Sequence, residues 1–307
     1  MPEVRFAQNT KAGLPTFSPD SRWMAAAMKN DDVHIVDTTT ADWSARTVLT
    51  NAGVPITFSR DASTLLALES EARTLPRWNA ASKALLSTMR LETTNVTWGY
   101  SSITPDGNLL ALANNRGPIE IFETRTGRRI DRLERRGLID SIELSQDGQL
   151  LAIGTGNSGL LWNIAARRLI WTAKGHRDRV FSIRFSPDQK MIATGSWDSD
   201  VRLWDVATGN EVAVLTGHKA AVLNSVFSPD GRTLATKSDD RTIKFGNLAT
   251  FREVASISLD YTGEIQGSFL AFSPDGQILT ANDSGPGLRC WRVPILAEID
   301  TTEVKQP

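Results

Sequence analysis

The chain has 307 residues, of which 40% are apolar and 22% charged, and its formal net charge at pH 7 is −1. This composition is typical of a folded globular protein and excludes a disordered, collagen-like or disulfide-rich chain. The near-zero charge also removes the strong electrostatic attraction of a nucleic-acid or anionic-membrane binder, so we expect neither as a partner.

The cysteine content and the hydropathy of the sequence indicate the compartment in which we expect the protein. Cys290 is the single cysteine, and one thiol cannot form an internal disulfide, which fits a reducing compartment. The sequence has no apolar stretch long enough to span a membrane and does not open with the basic and apolar regions of a secretory signal. We therefore expect a cytoplasmic protein without a membrane segment.

A short pattern, Phe-Ser-Pro-Asp-Gly followed by an apolar stretch, recurs with variations along the whole chain. Its aspartates are separated by steps of 41, 45, 41, 41, 42 and 45 residues, and they are Asp20, Asp61, Asp106, Asp147, Asp188, Asp230 and Asp275. A period of about 40–45 residues predicts propeller blades of four short strands each.

The strands within a repeat follow from the turns between them. Ser-Pro-Asp-Gly predicts a tight turn, because proline presets φ at the second position and glycine tolerates the fourth. In the fifth repeat the pattern predicts an antiparallel meander with strands at 180–185, 191–195, 201–204 and 211–215. The first three strands of a repeat are apolar on both faces, which favours burial between neighbouring blades. The fourth is more polar, as at 128–134, and should form the outer edge.

The fifth and sixth repeats carry the most specific motifs. The fifth contains Gly175-His176, Thr194-Gly195-Ser196-Trp197-Asp198 and Leu203-Trp204-Asp205, and the sixth contains Gly217-His218 and Ser238-Asp239-Asp240-Arg241-Thr242. These repeats resemble those of WD40 propellers, and the resemblance covers nearly the whole chain. It implies an all-β fold, a seven-bladed β-propeller of four-stranded antiparallel blades. The chain also resembles bacterial WD-repeat regions, which are often joined to kinase or signalling NTPase domains.

The resemblance further implies a hydrogen-bonded tetrad inside a blade, made by an Asp, a His, a Ser or Thr, and a Trp. The fifth repeat has all four as Asp198, His176, Thr194 (or Ser196) and Trp204. Because a half-buried imidazole needs partners for both nitrogens and an indole N–H needs an acceptor, we expect a structural tetrad.

The other repeats depart from this pattern. At the tryptophan position the seven repeats carry Val36, Trp78, Phe122, Trp162, Trp204, Gly246 and Trp291. Gly-His pairs occur only in repeats five and six, so a complete tetrad is expected once. Gly246 should leave either a void or room for a neighbouring side chain or water, and we expect Gly246→Trp to be tolerated or stabilising.

The two ends of the chain leave ring closure open. Residues 3–6 fall where a fourth strand should precede the first repeat, and we expect them to complete the seventh blade beside Trp291. In that arrangement residues 1–294 form one propeller domain and 295–307 a C-terminal tail. In the alternative, residues 295–299 supply the closing strand.

Catalytic and cofactor motifs are not expected. His176 and His218 belong to the repeat motif and His34 lies mid-strand, so no clustered ligands for a metal are apparent. The stretch Gly154-Thr155-Gly156-Asn157-Ser158-Gly159 has the spelling of a dinucleotide fingerprint, but a strand is predicted after it where pyrophosphate binding needs a helix. We expect no enzyme, no metal and no cofactor.

Two surface features are candidate partner sites. In WD-repeat proteins partners often bind the face where the first strands begin, which by position corresponds to Arg179, Phe181, Trp197, Leu223 and Asp239. An exposed Trp beside an Arg has the composition of an interaction hot spot, although Trp197 could instead pack on a neighbouring loop. The second feature is an arginine-rich outer edge, either a solvated strand or a dock for an acidic segment: Arg125, Arg128, Arg129, Arg132, Arg135 and Arg136.

The function that the sequence predicts is therefore a non-catalytic scaffold or sensor module, a monomeric propeller that binds another protein or a peptide. The alternative is a propeller enzyme or small-ligand binder that uses the central channel.

Overall fold

The computed structural model describes residues 3–7, 15–27, 32–40, 46–69, 73–93, 98–134, 137–259, 269–282 and 287–293. These residues form seven antiparallel sheets of four strands each, and no helix occurs among them. The predicted seven-bladed propeller is confirmed.

The strands follow one another blade by blade. The first strand is β1 (Glu3–Ala7). Blade 1 contains β2 (Thr16–Phe17), β3 (Trp23–Ala27), β4 (Val33–Asp37) and β5 (Arg46–Leu49). Blade 2 contains β6 (Val54–Phe58), β7 (Thr64–Leu68), β8 (Thr74–Asn79) and β9 (Leu85–Arg90). Blade 3 contains β10 (Tyr100–Ile103), β11 (Leu109–Ala113), β12 (Ile119–Glu123) and β13 (Arg129–Leu133).

Blade 4 contains β14 (Ile139–Leu144), β15 (Leu150–Thr155), β16 (Ser158–Asn163) and β17 (Arg168–Lys174). Blade 5 contains β18 (Val180–Phe185), β19 (Met191–Ser196), β20 (Val201–Asp205) and β21 (Glu211–Leu215). Blade 6 contains β22 (Val222–Phe227), β23 (Thr233–Ser238), β24 (Thr242–Asn247) and β25 (Arg252–Ser258). Blade 7 contains β26 (Leu270–Phe272), β27 (Ile278–Asn282) and β28 (Gly287–Arg292), with β1 as its fourth strand.

The hydrophobic core lies between the blades. Each of seven buried apolar clusters joins residues of two neighbouring blades. The cluster between blades 3 and 4, for example, contains Ile119 and Leu151. A sheet covered on both faces has no solvated side, which explains why the middle strands are apolar throughout rather than alternating.

The repeated aspartates hold the turns between the first and second strands. In all seven turns a Ser or Thr hydroxyl two residues earlier donates to the aspartate, at 2.5–2.6 Å. The residue after the aspartate has a positive φ in every turn, from 59° at Ala62 to 73° at Gly276. Glycine adopts this positive φ without a steric penalty, whereas the other residues found at this position adopt it with strain.

Blade 7 joins the two ends of the described chain. β1 pairs antiparallel with β28, so that Glu3 lies opposite Trp291 and Ala7 opposite Gly287. Blade 7 also meets blade 1, because the backbone N–H of Asp275 donates to the Ser21 hydroxyl at 2.9 Å. The predicted tail and the alternative strand at 295–299 lie outside the described residues.

Candidate interaction surface

The four predicted tetrad residues meet inside blade 5. The His176 ring places Nδ1 3.0 Å from Asp198 Oδ2 and Nε2 2.8 Å from Thr194 Oγ1. The Trp204 indole N–H donates to the same Thr194 oxygen, also at 2.8 Å. Ser196, the alternative to Thr194, instead donates to the Asp178 carbonyl at 3.0 Å.

The protonation of the tetrad follows from its burial. Burial lowers the pKa of His176, and the hydrogen bond to Asp198 offsets this only in part, so the ring is neutral at pH 7. Burial pushes the pKa of Asp198 upward, but the backbone N–H groups of Arg177 and Asp200 hold it below its usual range. We assign the proton to Nδ1, which then donates to Asp198 while Nε2 accepts from the Thr194 hydroxyl.

Blade 6 has the same arrangement without the indole. His218 lies 2.8 Å from Asp240 Oδ2 and 2.9 Å from Thr236 Oγ1. At Gly246 the sequence left two alternatives, a void or a space that a neighbouring side chain or water could enter. A Cβ there would lie 3.3 Å from Cδ1 of Leu215, a residue of blade 5. A neighbouring side chain already occupies part of this space, so an indole introduced by Gly246→Trp would have to displace Leu215.

Three residues of blade 5 and one of blade 4 form a surface cluster, here called the Trp197 cluster: Asp140, Arg179, Phe181 and Trp197. The Phe181 and Trp197 rings stack with centroids 5.5 Å apart and planes inclined by 14°. The Arg179 guanidinium carbon lies 5.0 Å from the Trp197 centroid and 5.2 Å from that of Phe181. Trp197 stays 42% exposed.

Asp140 fixes the arginine from the neighbouring blade. Its buried carboxylate accepts two hydrogen bonds from Arg179, at 2.5 Å from Nη2 and 3.3 Å from Nε. Sequence reasoning missed Asp140. The signal for it lies in the repeats, since Asp140 and Phe181 are the same bulged residue of their first strands, skipped by the strand pairing in blades 4 and 5.

Leu223 and Asp239 occupy the corresponding positions of blade 6. Leu223 is the bulged residue of β22 and is half-buried, whereas Asp239 is exposed in the hairpin, where Trp197 stands in blade 5. Within the described part of the chain, no hydrogen bond, ion pair or ring contact connects either residue to the Trp197 cluster. The structure thus brings Arg179, Phe181 and Trp197 together and leaves the other two apart.

Comparison with known proteins identifies the repeats. The family model described as "WD domain, G-beta repeat" matches residues 167–205 and 209–245, which cover the outer strand of blade 4 and most of blades 5 and 6. Blades 5 and 6 of the propeller therefore contain WD40 repeats.

Curated relatives match this WD40 propeller over a limited stretch. The guanine nucleotide-binding protein subunit beta of Schizosaccharomyces pombe is 38% identical over 65 residues, which is 21% of each chain. Subunit beta-5b of Danio rerio is 27% identical over 103 residues, 32% of this chain and 26% of the relative. The matches therefore span only about a fifth to a quarter of these relatives' lengths.

A solved structure matches the WD40 propeller over nearly its full length. A chain of the mitotic checkpoint complex superposes with a TM-score of 0.78, covering 96% of this chain and 92% of that one. Its sequence identity is 20%, so this likeness establishes the fold alone.

Two arginines of the arginine-rich edge are paired within their own blade. Arg129 and Arg132 both reach the buried carboxylate of Glu120, at 2.6 and 3.4 Å, and Arg132 also pairs with Glu134 at 2.6 Å. Arg125 and Arg128 are exposed. Arg135 and Arg136 lie outside the described residues.

The central channel was the alternative site. On the first strands, which contact one another around the axis, Glu143 and Arg184 are neighbouring, partly buried residues of opposite charge. Glu143 accepts the Phe185 N–H, and burial raises the pKa of Glu143 to about 7. Arg184 donates to the Ser141 hydroxyl at 3.2 Å.

Metal binding, dinucleotide binding and membrane insertion each require a specific structural feature. No group of three or more His, Cys, Asp or Glu side chains lies close enough there to hold a metal ion. The glycine-rich stretch at 154–159 forms the hairpin between β15 and β16, as the sequence predicted. Nothing helical in the described ranges is both long and apolar enough to cross a lipid bilayer.

Proposed function

We propose that this WD40 propeller is a non-catalytic protein-interaction module whose contact surface is the Trp197 cluster. The observation that carries the proposal is an exposed tryptophan held in place by a stacked ring and a fixed arginine. Tryptophan and arginine dominate the binding energy of protein interfaces.

Preorganisation supports this choice of surface. Arg179 is anchored by two hydrogen bonds that it donates to the Asp140 carboxylate, and Trp197 is stacked on Phe181. Because these side chains are ordered before a partner arrives, binding loses less conformational entropy than it would with free side chains. Leu223 and Asp239 extend the proposed surface onto blade 6.

The comparisons and the channel support a role without catalysis. The matched relatives are subunits of guanine nucleotide-binding proteins, and the structural neighbour belongs to a checkpoint complex. Glu143 and Arg184 in the channel are one carboxyl and one guanidinium from adjacent blades, which falls short of a converging catalytic set. We propose that the chain uses no metal or cofactor.

The cellular setting is part of the same proposal. We place the chain in the cytoplasm, as a monomeric propeller over residues 1–294 followed by a tail at 295–307, and as the interaction part of a larger bacterial signalling protein. The pairing of β1 with β28 supports the domain boundary. Burial raises the pKa of the Cys290 thiol well above its usual range, which fits an unreactive core residue in a reducing compartment.

Quantitative affinity capture from the native host tests the proposal. The baits are the wild type, the double variant Arg179→Ala/Trp197→Ala, and the control Arg128→Ala/Leu86→Ala, which truncates exposed residues on outer strands or the turns before them. Proteins retained by the wild type and the control should fall by at least about tenfold with the double variant, since hot-spot truncations cost about 2 kcal/mol or more. Equal retention by all three baits would refute the Trp197 cluster as the contact surface.

A further inference from the structure

The cations beside Trp197 are already neutralised. Arg179 pairs with Asp140 at 2.5 Å, and Arg177 pairs with Asp200 at 3.4 Å. Neither arginine therefore offers an unpaired positive charge to a partner, although both lie close to Trp197.

Two further carboxylates lie next to the Trp197 cluster and differ in exposure. Asp178, which precedes Arg179, is exposed, whereas Asp198, which directly follows Trp197, has a side chain that is only 2% exposed. Among the described residues, no Lys or Arg lies within ion-pair distance of either carboxylate. The ring that Asp198 contacts, His176, is neutral because burial holds its pKa below the usual range. Since Arg177 and Arg179 are each paired with another aspartate, the exposed Asp178 leaves an excess of negative charge beside the Trp197 cluster.

The ring itself favours a cation. The negative face of an indole attracts a guanidinium or ammonium group, and Arg179 already lies 5.0 Å from the Trp197 centroid. The 42% of Trp197 that is exposed leaves room for a second group. Since Asp140 cancels the charge of Arg179, an incoming cation meets little repulsion from it.

We propose that the Trp197 cluster binds a basic segment of its partner, with a lysine or arginine side chain lying against the exposed part of Trp197. This inference rests on the proposed function, since it names the partner chemistry of the same surface. An acidic segment would face the exposed carboxylate of Asp178. An apolar segment would forgo the attraction of both the ring and this charge.

The test uses a matched pair of small probes on the full chain. N-acetyl-arginine amide and N-acetyl-citrulline amide have nearly the same shape, but only the first is charged. Indole N–H signals from the nine tryptophans are followed by NMR during each titration, at constant ionic strength. The Trp197 signal is the one that Trp197→Phe removes. The Trp171 signal is an internal control, because its N–H is bonded to the Val206 carbonyl at 2.9 Å.

We expect the arginine probe to shift the Trp197 signal and to bind about 2- to 5-fold more tightly than the citrulline probe, with Trp171 unmoved. Asp178→Asn should weaken the arginine probe by a factor of about 2 to 5. Glu134→Gln, which removes the same charge from a distant outer edge where the side chain is 73% exposed, should leave it unchanged.

Equal binding of the two probes, or no shift at Trp197 with either, would overturn the basic-partner inference. The capture experiment with Arg179→Ala/Trp197→Ala is independent of this result. A surface that loses its partners in capture but does not discriminate arginine from citrulline would still be an interaction surface, for a partner of another chemistry.

Discussion

At the scale of single residues, Thr194 holds the blade 5 tetrad together. Its hydroxyl oxygen accepts the Trp204 N–H and its hydrogen satisfies the neutral His176 ring, all within a fully buried site. The equivalent Thr236 in blade 6 contacts His218 in the same way but has no indole partner, because Gly246 stands where the tryptophan would be.

This difference predicts unequal costs for the same substitution. Thr194→Val leaves two buried polar groups without partners, whereas Thr236→Val leaves one. Each orphaned group costs about 1–3 kcal/mol, so Thr194→Val should lower the free energy of unfolding by roughly 1–3 kcal/mol more than Thr236→Val. Urea unfolding of the two variants measures this difference. Equal losses would mean that the indole bond to Thr194 contributes nothing.

The tetrad histidine also predicts a pH dependence. Burial lowers the pKa of His176 below its ordinary value of 6.5, so the unfolded chain binds more protons than the folded chain once the pH falls below 6.5. The stability that the neutral ring contributes is complete above pH 6.5 and is lost as the pH falls toward the folded-state pKa. Glu143 acts in the opposite sense, because its folded-state pKa is raised from 4.5 to about 7 and its stabilising effect is lost as the pH rises through that range.

Comparing the wild type with a His176 variant separates the contribution of His176 from that of Glu143. His176→Gln should destabilise the propeller more at about pH 7.5 than at about pH 5.5, since the wild type has lost part of the histidine contribution at the lower pH. Chemical denaturation of both proteins at both pH values provides the four free energies needed. The Glu143 contribution is common to wild type and variant and cancels in the difference. The same destabilisation at both pH values would contradict a lowered pKa at His176.

At the scale of strands, one outer-strand position differs in size between blades 4 and 5. In blade 5, Leu215 of β21 pairs with Val201, which lies three residues before Trp204. In blade 4 the residue equivalent to Leu215 is Ala173, which pairs with Gly159. Ala173 shares a core cluster with Trp204 of the next blade. The contact between blades 4 and 5 thus combines the small Ala173 with Trp204, and the contact between blades 5 and 6 combines the larger Leu215 with Gly246.

This pairing predicts how blade 6 will respond to a tryptophan. Gly246→Trp alone should lower the free energy of unfolding by about 1–3 kcal/mol, because the indole displaces Leu215 from packed space. In a Leu215→Ala background the same substitution should cost less or become stabilising, since it recreates the Ala173–Trp204 combination. Thermal unfolding of the two single variants and the double variant tests this. A similar cost in both backgrounds would show that Leu215 is not the obstacle.

The outer strands share a feature that the sequence did not reveal. In blades 2 to 6 the pairing of the third and fourth strands skips one residue of the fourth strand, and that residue is always apolar: Leu86, Ile130, Ile170, Val212 and Val254. Bulges interrupt the regular edge and increase local twist, which makes pairing with another chain less favourable. These outer edges are therefore protected against pairing with another chain in two ways, by the predicted charges and by the bulges.

At the scale of the whole molecule, the period of the turns was enough to predict the architecture. The spacing of Asp20 to Asp275 determines how many blades form, and the apolar middle strands require neighbours on both faces. The tetrad could also be predicted, because His176, Thr194, Asp198 and Trp204 belong to one repeat. Contacts between repeats could not. Asp140 and Leu215 act across a blade boundary, and periodicity shows which residues are equivalent without showing which ones touch.

The pairing of Glu3–Ala7 with Gly287–Arg292 has a consequence for biosynthesis. Among the strands of the propeller, β1 is synthesised before the others and has no sheet to join until β28 has been made. At about 5–20 residues per second, that delay is roughly a quarter of a minute to a minute. During it the edge of β1 and the face of blade 1 that will meet blade 7 are both uncovered, so this junction is where a nascent chain would most need the protection of a chaperone.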